Sequence, residues 1–228
     1  MSKVQKDNMQ EDEVEQVRTR LERKQSKFSL FIENFVVYGI GGVISKVIPL
    51  IMVPIVTRLM PDSSYYGISD LSNTVLSFGS ALAVMGMYDA MYRMFFEKDD
   101  ENYKKEICST AMSVTFVTSF IVFVTMLLGK NIIAKYAFGD SKYGYLIYIT
   151  AMATLVGGTN SIISAPTRMQ NKRKVFLVMN TISPLLSYSI SIPLLLMGYY
   201  VIALPLAALI SATTQELIFW ILNKEWFR

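Results

Sequence analysis

The sequence predicts an all-α integral membrane protein with about six transmembrane helices. Of its 228 residues, 52% are hydrophobic and only 18% are charged, and the mean hydropathy is +0.37. A soluble domain usually carries charge on about a quarter of its residues. The apolar residues fall in runs of about twenty, the length that an α-helix needs to cross a bilayer. No segment keeps the two-residue alternation of a barrel strand, so helices are predicted rather than a barrel.

The first 33 residues differ in composition from the rest of the chain. Residues 1–33 are polar and dense in both acidic and basic side chains. Their length and acidic content argue against a signal peptide. A few apolar residues recur at helix-like spacing, but a solvated tail is favoured over a lipid-binding surface helix. We therefore predict a charged cytoplasmic tail at 1–33 and a transmembrane bundle at 34–228.

Six apolar segments follow the tail, and charged or polar residues bound each of them. They are 34–58, 67–90, 108–128, 144–166, 175–197 and 199–222. The connection between the last two segments is so short that these two helices are predicted to be antiparallel neighbours. Because the number of crossings is even, both termini are expected on the same side of the membrane.

Lysine and arginine predict which side that is, because cytoplasmic loops of membrane proteins carry an excess of these residues. Most of them lie in the tail, after the second and fourth segments, and near the C-terminus. The opposite side holds few of them: Arg58, Lys130, Lys135 and Lys142. The sequence therefore predicts a multi-pass protein of the plasma membrane with both termini in the cytoplasm. Cys108 is expected on the cytoplasmic side of the third segment.

The composition also argues against several kinds of chemistry. The chain has no histidine, which is the commonest general base and metal ligand, and Cys108 is its one cysteine. An intramolecular disulfide and a cysteine-based metal cluster are therefore excluded. The glycine-rich stretch 39–42 lies inside an apolar helix and not after a strand, so it is not a nucleotide-binding loop. We expect no enzyme, no cofactor and no metal, and the net charge of +4 is attributed to membrane topology rather than to nucleic acid.

Lys46 is the leading candidate for a substrate-binding residue, because it falls near the middle of the first predicted helix. A lysine at the centre of the bilayer costs about 2.5–3.5 kcal/mol on insertion scales, so it is expected to face a watery cavity or a partner group. The functional interpretation is binding of the phosphate of a lipid carrier. The alternative is a structural lysine that is paired inside the bundle. Arg58 and Arg93 are predicted to steer the same anionic group.

Three acidic residues are candidates for ion coupling or gating: Asp70, Asp89 and Glu216. Asp89 and Arg93 lie four residues apart near the end of the second segment, and an ion pair on one helical face is the favoured interpretation. Asn160 belongs to a polar patch in the fourth segment and is a candidate for binding sugar hydroxyls. Hydrogen bonding between helices is the commoner use of such residues.

Paired prolines occur in two of the predicted helices. Pro49 and Pro54 interrupt the first, and Pro184 and Pro193 interrupt the fifth. Broken helices line the cavities of many transporters, although proline in a membrane helix is often only a tolerated kink. For these two helices the sequence favours neither interpretation.

The segment 34–71 reads NFVVYGIGGVISKVIPLIMVPIVTRLMPDSSYYGISDL. It is similar to the opening of the polysaccharide biosynthesis, or Wzx-type, flippase family. The likeness lies in the proline-bearing first helix, its exit PIVTRLM at 54–60, and the Tyr66-Gly67 pair that opens the second helix. The segment 164–176, SAPTRMQNKRKVF, resembles the short basic cytoplasmic loop that such proteins carry between helices four and five.

The resemblance implies membership of the superfamily of multidrug, oligosaccharidyl-lipid and polysaccharide exporters. It implies a MATE-like flippase that moves an undecaprenyl-pyrophosphate-linked glycan across the membrane by alternating access, with Lys46 similar to the cationic groups of such cavities. Relatives usually have twelve or more helices in two bundles, so the chain is expected to be one half-bundle. A truncated chain is favoured over a homodimer or a chain completed by another polypeptide.

Two other functions stay open at this point. The first is half of a cation-coupled multidrug exporter. The second is a non-transporting membrane scaffold in a glycan assembly complex. Membrane lipids are expected partners in every case.

Overall fold

The computed structural model describes residues 35, 39, 43, 46–170 and 172–227, with the side chain of Arg173 left out. The residues from Ile44 onward form one compact unit. The predicted tail, 1–33, and much of the first half of the first predicted helix lie outside the described residues.

The described residues are almost entirely helical. Helix α1 is described over 46–59, and it is followed by α2 (Ser63–Val84), α3 (Met87–Phe95), α4 (Glu101–Leu128), α5 (Lys130–Phe138), α6 (Gly144–Ile163), α7 (Ala165–Met169), α8 (Arg173–Leu196) and α9 (Ala203–Asn223). Short 3-10 turns precede α6 and follow α9. No strand occurs in this part of the chain, and the prediction of an all-α fold is confirmed.

Four helical stretches are long and apolar enough to cross a membrane. They are Glu101–Leu128, Ser141–Met169, Lys174–Leu196 and Ala203–Trp226. Helices α2 and α3 make a fifth if they are counted as one span with a bend of 47°. These stretches correspond to the second to sixth predicted segments, and the membrane class of the fold is confirmed. The first predicted segment, 34–58, is described only in part.

The second predicted segment is not one continuous helix, as 67–90 had suggested. It breaks at Met85 and Gly86, which have φ values of +46° and +74°. A left-handed residue ends a helix, because the next amide can no longer reach the carbonyl one turn back. The hydroxyl of Thr118 on α4 donates to the carbonyl of Ala83 at 2.5 Å. A side chain of α4 therefore satisfies a carbonyl in the last turn of α2. The carbonyls of a last turn lack the backbone N–H donors that a continuing helix would supply.

Aspartates define the starts of several helices. Asp62 accepts from the backbone N–H of Ser64 at 3.0 Å, and Asp100 accepts from that of Asn102 at 3.0 Å. These contacts are N-caps, in which a side-chain oxygen replaces the missing helical acceptor. The backbone hydrogen bond from Ser64 lowers the pKa of Asp62 below its ordinary value. The cap at Asp100 explains why α4 begins two turns before the predicted start at Cys108.

Helices α8 and α9 are antiparallel neighbours, as the short connection predicted. Gly198 makes the turn between them with a φ of +91°. Further along the hairpin, the hydroxyl of Ser211 donates to the carbonyl of Ser183 at 2.6 Å. Near the turn, Leu195 and Ala203 are buried in the same apolar cluster.

Small residues set the distances between α6 and its neighbours. A Cβ atom placed on Gly158 of α6 would lie 2.3 Å from the Oγ of Ser119 on α4. A Cβ atom on Gly79 of α2 would lie 2.9 Å from the Oγ1 of Thr154 on α6. Helix contacts of this kind are typical of membrane bundles, where close backbone approach replaces the hydrophobic driving force.

An apolar cluster joins α3, α4, α6 and α7 at the end of the bundle where α3 meets α4. Its buried members include Met91, Phe95, Cys108, Ile162 and Ala165. The side chain of Cys108 is fully enclosed. A thiol-reactive reagent would not reach it from either side of the folded protein, so its labelling does not report membrane sidedness.

Candidate functional site

A cavity of about 170 Å³ lies between α1, α2, α8 and α9. Its walls combine polar side chains, two tyrosines and prolines from both proline-bearing helices. The lining residues are Pro49, Val53, Val56, Tyr66, Ser69, Asp70, Asn73, Pro184, Ser187, Tyr188, Leu204 and Ala208. For the prolines of α1 and α8, the sequence favoured neither a kink nor a cavity wall. In the structure, both of these helices line a cavity.

Helix α2 supplies most of the polar wall. Tyr66, Ser69, Asp70 and Asn73 are spaced at i, i+3, i+4 and i+7, so they share one face of the helix. The hydroxyl of Ser69 is satisfied by the carbonyl of Tyr65 at 3.2 Å. Asp70 is exposed and forms no ion pair with another described residue. Its carboxylate is therefore available to a ligand in the cavity.

One end of the cavity is closed by apolar and aromatic packing. Val56 is fully buried in a cluster that also includes Leu195 and Ala203. The rings of Tyr65 and Tyr200 meet above the turn between α8 and α9, with centroids 5.5 Å apart. This packing joins the end of α1 and the start of α2 to the α8–α9 hairpin.

Lys46 does not itself line the cavity, but its spacing along α1 puts it on the same side of the helix as the residues that do. It precedes Pro49 by one turn, and Pro49, Val53 and Val56 continue the same face. The side chain of Lys46 is exposed and has no hydrogen bond or ion pair with another described residue. Arg58 is also exposed, but it lies about 200° around the helix from Val56 and points away from the cavity.

The structure does not bring Asp89 and Arg93 into this site. Both lie on α3, both are exposed, and no ion pair joins them, so the predicted pair is wrong. Asp89 is in the first turn and Arg93 in the last turn of this short helix. Each charge is therefore at the end that the helix dipole favours, and an exposed pair between them would gain little.

A second polar site joins α6 to α9. The hydroxyl of Thr159 donates to the Oε1 atom of Glu216 at 2.5 Å, and Glu216 is half-buried. The Oδ1 atom of Asn160 is buried and has no hydrogen-bond partner among the described residues. Two of the predicted site residues, Asn160 on α6 and Glu216 on α9, are therefore on neighbouring helices. Neither of them lines the cavity between α1, α2, α8 and α9.

A fully satisfied amide lies two turns further along this same contact. Asn223 is completely buried, and its Nδ2 donates to the carbonyl of Ile163 at 2.8 Å and to the hydroxyl of Thr167 at 2.8 Å. The sequence analysis missed Asn223 and Thr167. The available signal was an amide directly after the apolar run 217–222.

No group of three or more histidine, cysteine, aspartate or glutamate residues is arranged to hold a metal ion in the described ranges. The polar groups of both sites are instead hydroxyls, amides and single carboxylates. Such groups form hydrogen bonds in several directions, which suits a ligand rich in hydroxyls.

The family model described as polysaccharide biosynthesis protein matches residues 55–227, which is well over half of the chain. The chain belongs to this family. The resemblance found in the sequence is confirmed, and the protein has a role in polysaccharide biosynthesis. No curated protein and no solved structure matches it.

The family match covers α2 to α9 and the last turn of α1. Three of the four walls of the cavity in this polysaccharide biosynthesis protein therefore belong entirely to the matched region, as do Asp70 and Glu216. Lys46 lies before the matched region, so the family match does not bear on it. Only its position on α1 connects Lys46 with the cavity.

Proposed function

We propose that this polysaccharide biosynthesis protein is a flippase, which moves a lipid-linked oligosaccharide across the plasma membrane. The observation that carries the proposal is the polar cavity enclosed by α1, α2, α8 and α9. Polar groups inside a membrane bundle are costly unless they have partners. A hydroxyl-rich cargo supplies such partners during its passage, whereas a purely structural bundle gains nothing from an unfilled polar cavity.

The cavity chemistry suits a sugar. Ser187, Asn73 and Asp70 offer hydrogen-bond donors and acceptors, and the rings of Tyr66 and Tyr188 offer flat apolar surfaces. Sites for uncharged polar ligands commonly combine aromatic walls with a few placed polar groups. The cavity is small, so we propose that it holds one sugar unit at a time and widens as the helices move.

Lys46 is proposed to hold the anionic part of the same cargo. It continues the cavity face of α1 one turn away from Pro49, so a pyrophosphate beside it would leave the attached sugar within reach of the cavity. A lysine ammonium is a compact charge that binds phosphate well. The proposed cargo is therefore an undecaprenyl-pyrophosphate-linked glycan, whereas Arg58, which points away from the cavity, and Arg93 on α3 are given no contact with it.

The test of this function is translocation by the purified chain in proteoliposomes. A lipid-linked oligosaccharide with a fluorescent sugar is placed in both leaflets, and a membrane-impermeant quencher reports how fast the inner pool reaches the outside. We expect translocation well above that of empty vesicles. Transport of a cationic dye instead would favour the multidrug exporter, and transport of neither would favour the membrane scaffold.

Asp70→Asn is expected to lower this translocation rate by about tenfold. A hydrogen bond to a charged group contributes about 1.5–3 kcal/mol, and the amide keeps the shape of the side chain while losing the charge. Asp70 has no ion pair with a described residue, so the fold should not depend on it. Asp89→Asn is the matched control, since Asp89 is an exposed acid outside the cavity. Equal rates for the two variants would contradict the assignment of the cavity.

We also propose that both termini face the cytoplasm, and cysteine labelling tests this orientation. In a Cys108→Ala background, Tyr136→Cys and Lys98→Cys place exposed thiols in two connections on opposite sides of the predicted membrane. An impermeant maleimide is expected to label Tyr136→Cys in intact cells and Lys98→Cys only after the cells are permeabilised. The reverse pattern would overturn the orientation.

A further inference from the structure

Glu216 is a charged side chain in the middle of an otherwise uncharged helix contact. No other residue of α9 carries a formal charge, and neither does any residue of α6. Glu216 accepts a hydrogen bond from Thr159 at 2.5 Å, and it is only partly exposed. An acidic residue inside a membrane-spanning helix is costly to keep ionised, so it is a candidate for a functional role by its position alone.

Thr159 can serve either protonation state of this carboxyl. Its Oγ1 atom lies 2.5 Å from Glu216 Oε1 and also 3.1 Å from the carbonyl oxygens of both Leu155 and Val156. A hydroxyl has one proton to donate and two lone pairs to accept with. When Glu216 is ionised, Thr159 donates to it. When Glu216 is protonated, its O–H donates to Thr159, and Thr159 donates to a carbonyl of its own helix.

The site fits a proton better than a metal ion. Hard cations such as calcium take about six to eight oxygen ligands. Among the described side chains, this contact offers only two oxygen-bearing groups, the carboxylate of Glu216 and the hydroxyl of Thr159. A protonated carboxyl needs only one acceptor, and the hydroxyl of Thr159 provides it.

The charged and titratable groups of the neighbouring elements lie elsewhere. Arg168 of α7 is stacked on the rings of Tyr88 and Phe176, at 5.4 and 5.0 Å. On α6, Tyr145 and Tyr148 are near the opposite end from Thr159, and the other cavity is lined by Tyr188 of α8 and by Tyr66 and Asp70 of α2, which also packs on α9. Arg173 and Lys174 begin α8, while Lys224 and Glu225 follow α9. Among the described side chains, none of these forms an ion pair with Glu216.

We propose that Glu216 is a proton-binding site that controls the contact between α6 and α9. Protonation gives an uncharged, fully hydrogen-bonded contact, and release of the proton leaves a carboxylate that attracts water between the helices. The contact of Asn223 with Ile163 and Thr167 fixes the two helices to each other further along, so the change is confined to the part nearer Glu216. This proposal does not depend on the flippase activity, and its test does not measure transport.

The two tryptophans of the chain make the site measurable. Trp220 follows Glu216 by one turn of α9 and stacks on Phe227 at 5.9 Å, whereas Trp226 packs on Phe95. In a Trp226→Phe background, the emission excited selectively from tryptophan therefore comes from Trp220 alone. The purified chain in nanodiscs is titrated from about pH 4 to about pH 9, the range in which perturbed carboxyl groups ionise.

We expect one transition in the emission of Trp220, and its loss in Glu216→Gln. Thr159→Val should move the midpoint by about one pH unit, because it removes the hydrogen bond, and Thr159→Ser should restore it. Glu225→Gln is the matched control, since this exposed acid is close to Trp220 in sequence but lies outside the helix contact. It should leave the transition unchanged.

Two results would overturn the proposal: an emission of Trp220 that does not change with pH, or a transition that persists in Glu216→Gln. If Glu216→Gln does not fold, Glu216→Asp replaces it. The shorter side chain draws the carboxyl away from Thr159 and should displace the midpoint, so an unchanged midpoint in that variant would also count against Glu216. A midpoint that is insensitive to Thr159→Val would remove Thr159 from the site.

Discussion

Lys46→Ala is expected to reduce the translocation of lipid-linked oligosaccharide by about 10- to 100-fold. Hydrogen bonds between charged groups contribute about 1.5–3 kcal/mol each, and alanine leaves the pyrophosphate without its cation at the cavity face of α1. The side chain is exposed and has no partner among the described residues, so its removal should not weaken the bundle. The measurement is the proteoliposome rate at equal amounts of reconstituted protein.

Two variants of α1 serve as controls for Lys46. Lys46→Arg keeps the charge and should keep most of the rate, although the guanidinium has a different shape. Arg58→Ala removes a cation from the same helix on the face that points away from the cavity, and we expect a change of less than about threefold because an exposed charge that contacts no cargo contributes little. An unchanged rate for Lys46→Ala, at normal expression, would exclude Lys46 from cargo binding.

The all-helical class and the places of the second to sixth predicted segments could be predicted, because length and hydropathy largely decide whether a helix spans a bilayer. The break in the second span could not be predicted, because Met85 and Gly86 lie inside an apolar run and glycine is often tolerated in membrane helices. At the break, Thr118 of α4 satisfies a carbonyl in the last turn of α2. That contact joins residues that are distant in sequence.

The candidate sites were predictable only in part, for a similar reason. The sequence identifies polar residues inside apolar helices, but it does not say which of them face each other. Asp70 and Ser187 line the same cavity, and Glu216 accepts a hydrogen bond from Thr159 on the neighbouring helix. The spacing of Asp89 and Arg93 permits an ion pair without requiring one, and the structure does not form it.

Gly158→Val is expected to give the largest loss of stability of any variant considered. A Cβ atom at this position would lie 2.3 Å from Ser119 Oγ, 3.3 Å from Ser119 Cβ and 3.4 Å from the Cβ of Ala83. Rotation of the serine hydroxyl relieves only the first of these contacts, and the two methyl groups of valine extend further toward α2 and α4. Overpacking of this kind costs about 1–3 kcal/mol and sometimes more. We expect little folded protein by size-exclusion chromatography in detergent.

A double variant separates packing from helix propensity in this prediction. Gly158→Ala alone should lower the thermal stability, although alanine favours a helix more than glycine does. Ser119→Gly removes the side chain that Gly158→Ala would meet, so the pair should recover much of the loss, which is the coupling expected of residues in contact. Gly67→Ala is the matched control, because no atom lies within 4 Å of its added Cβ. If Gly158→Ala proved as stable as Gly67→Ala, the close contact between α4 and α6 would not be what holds these helices together.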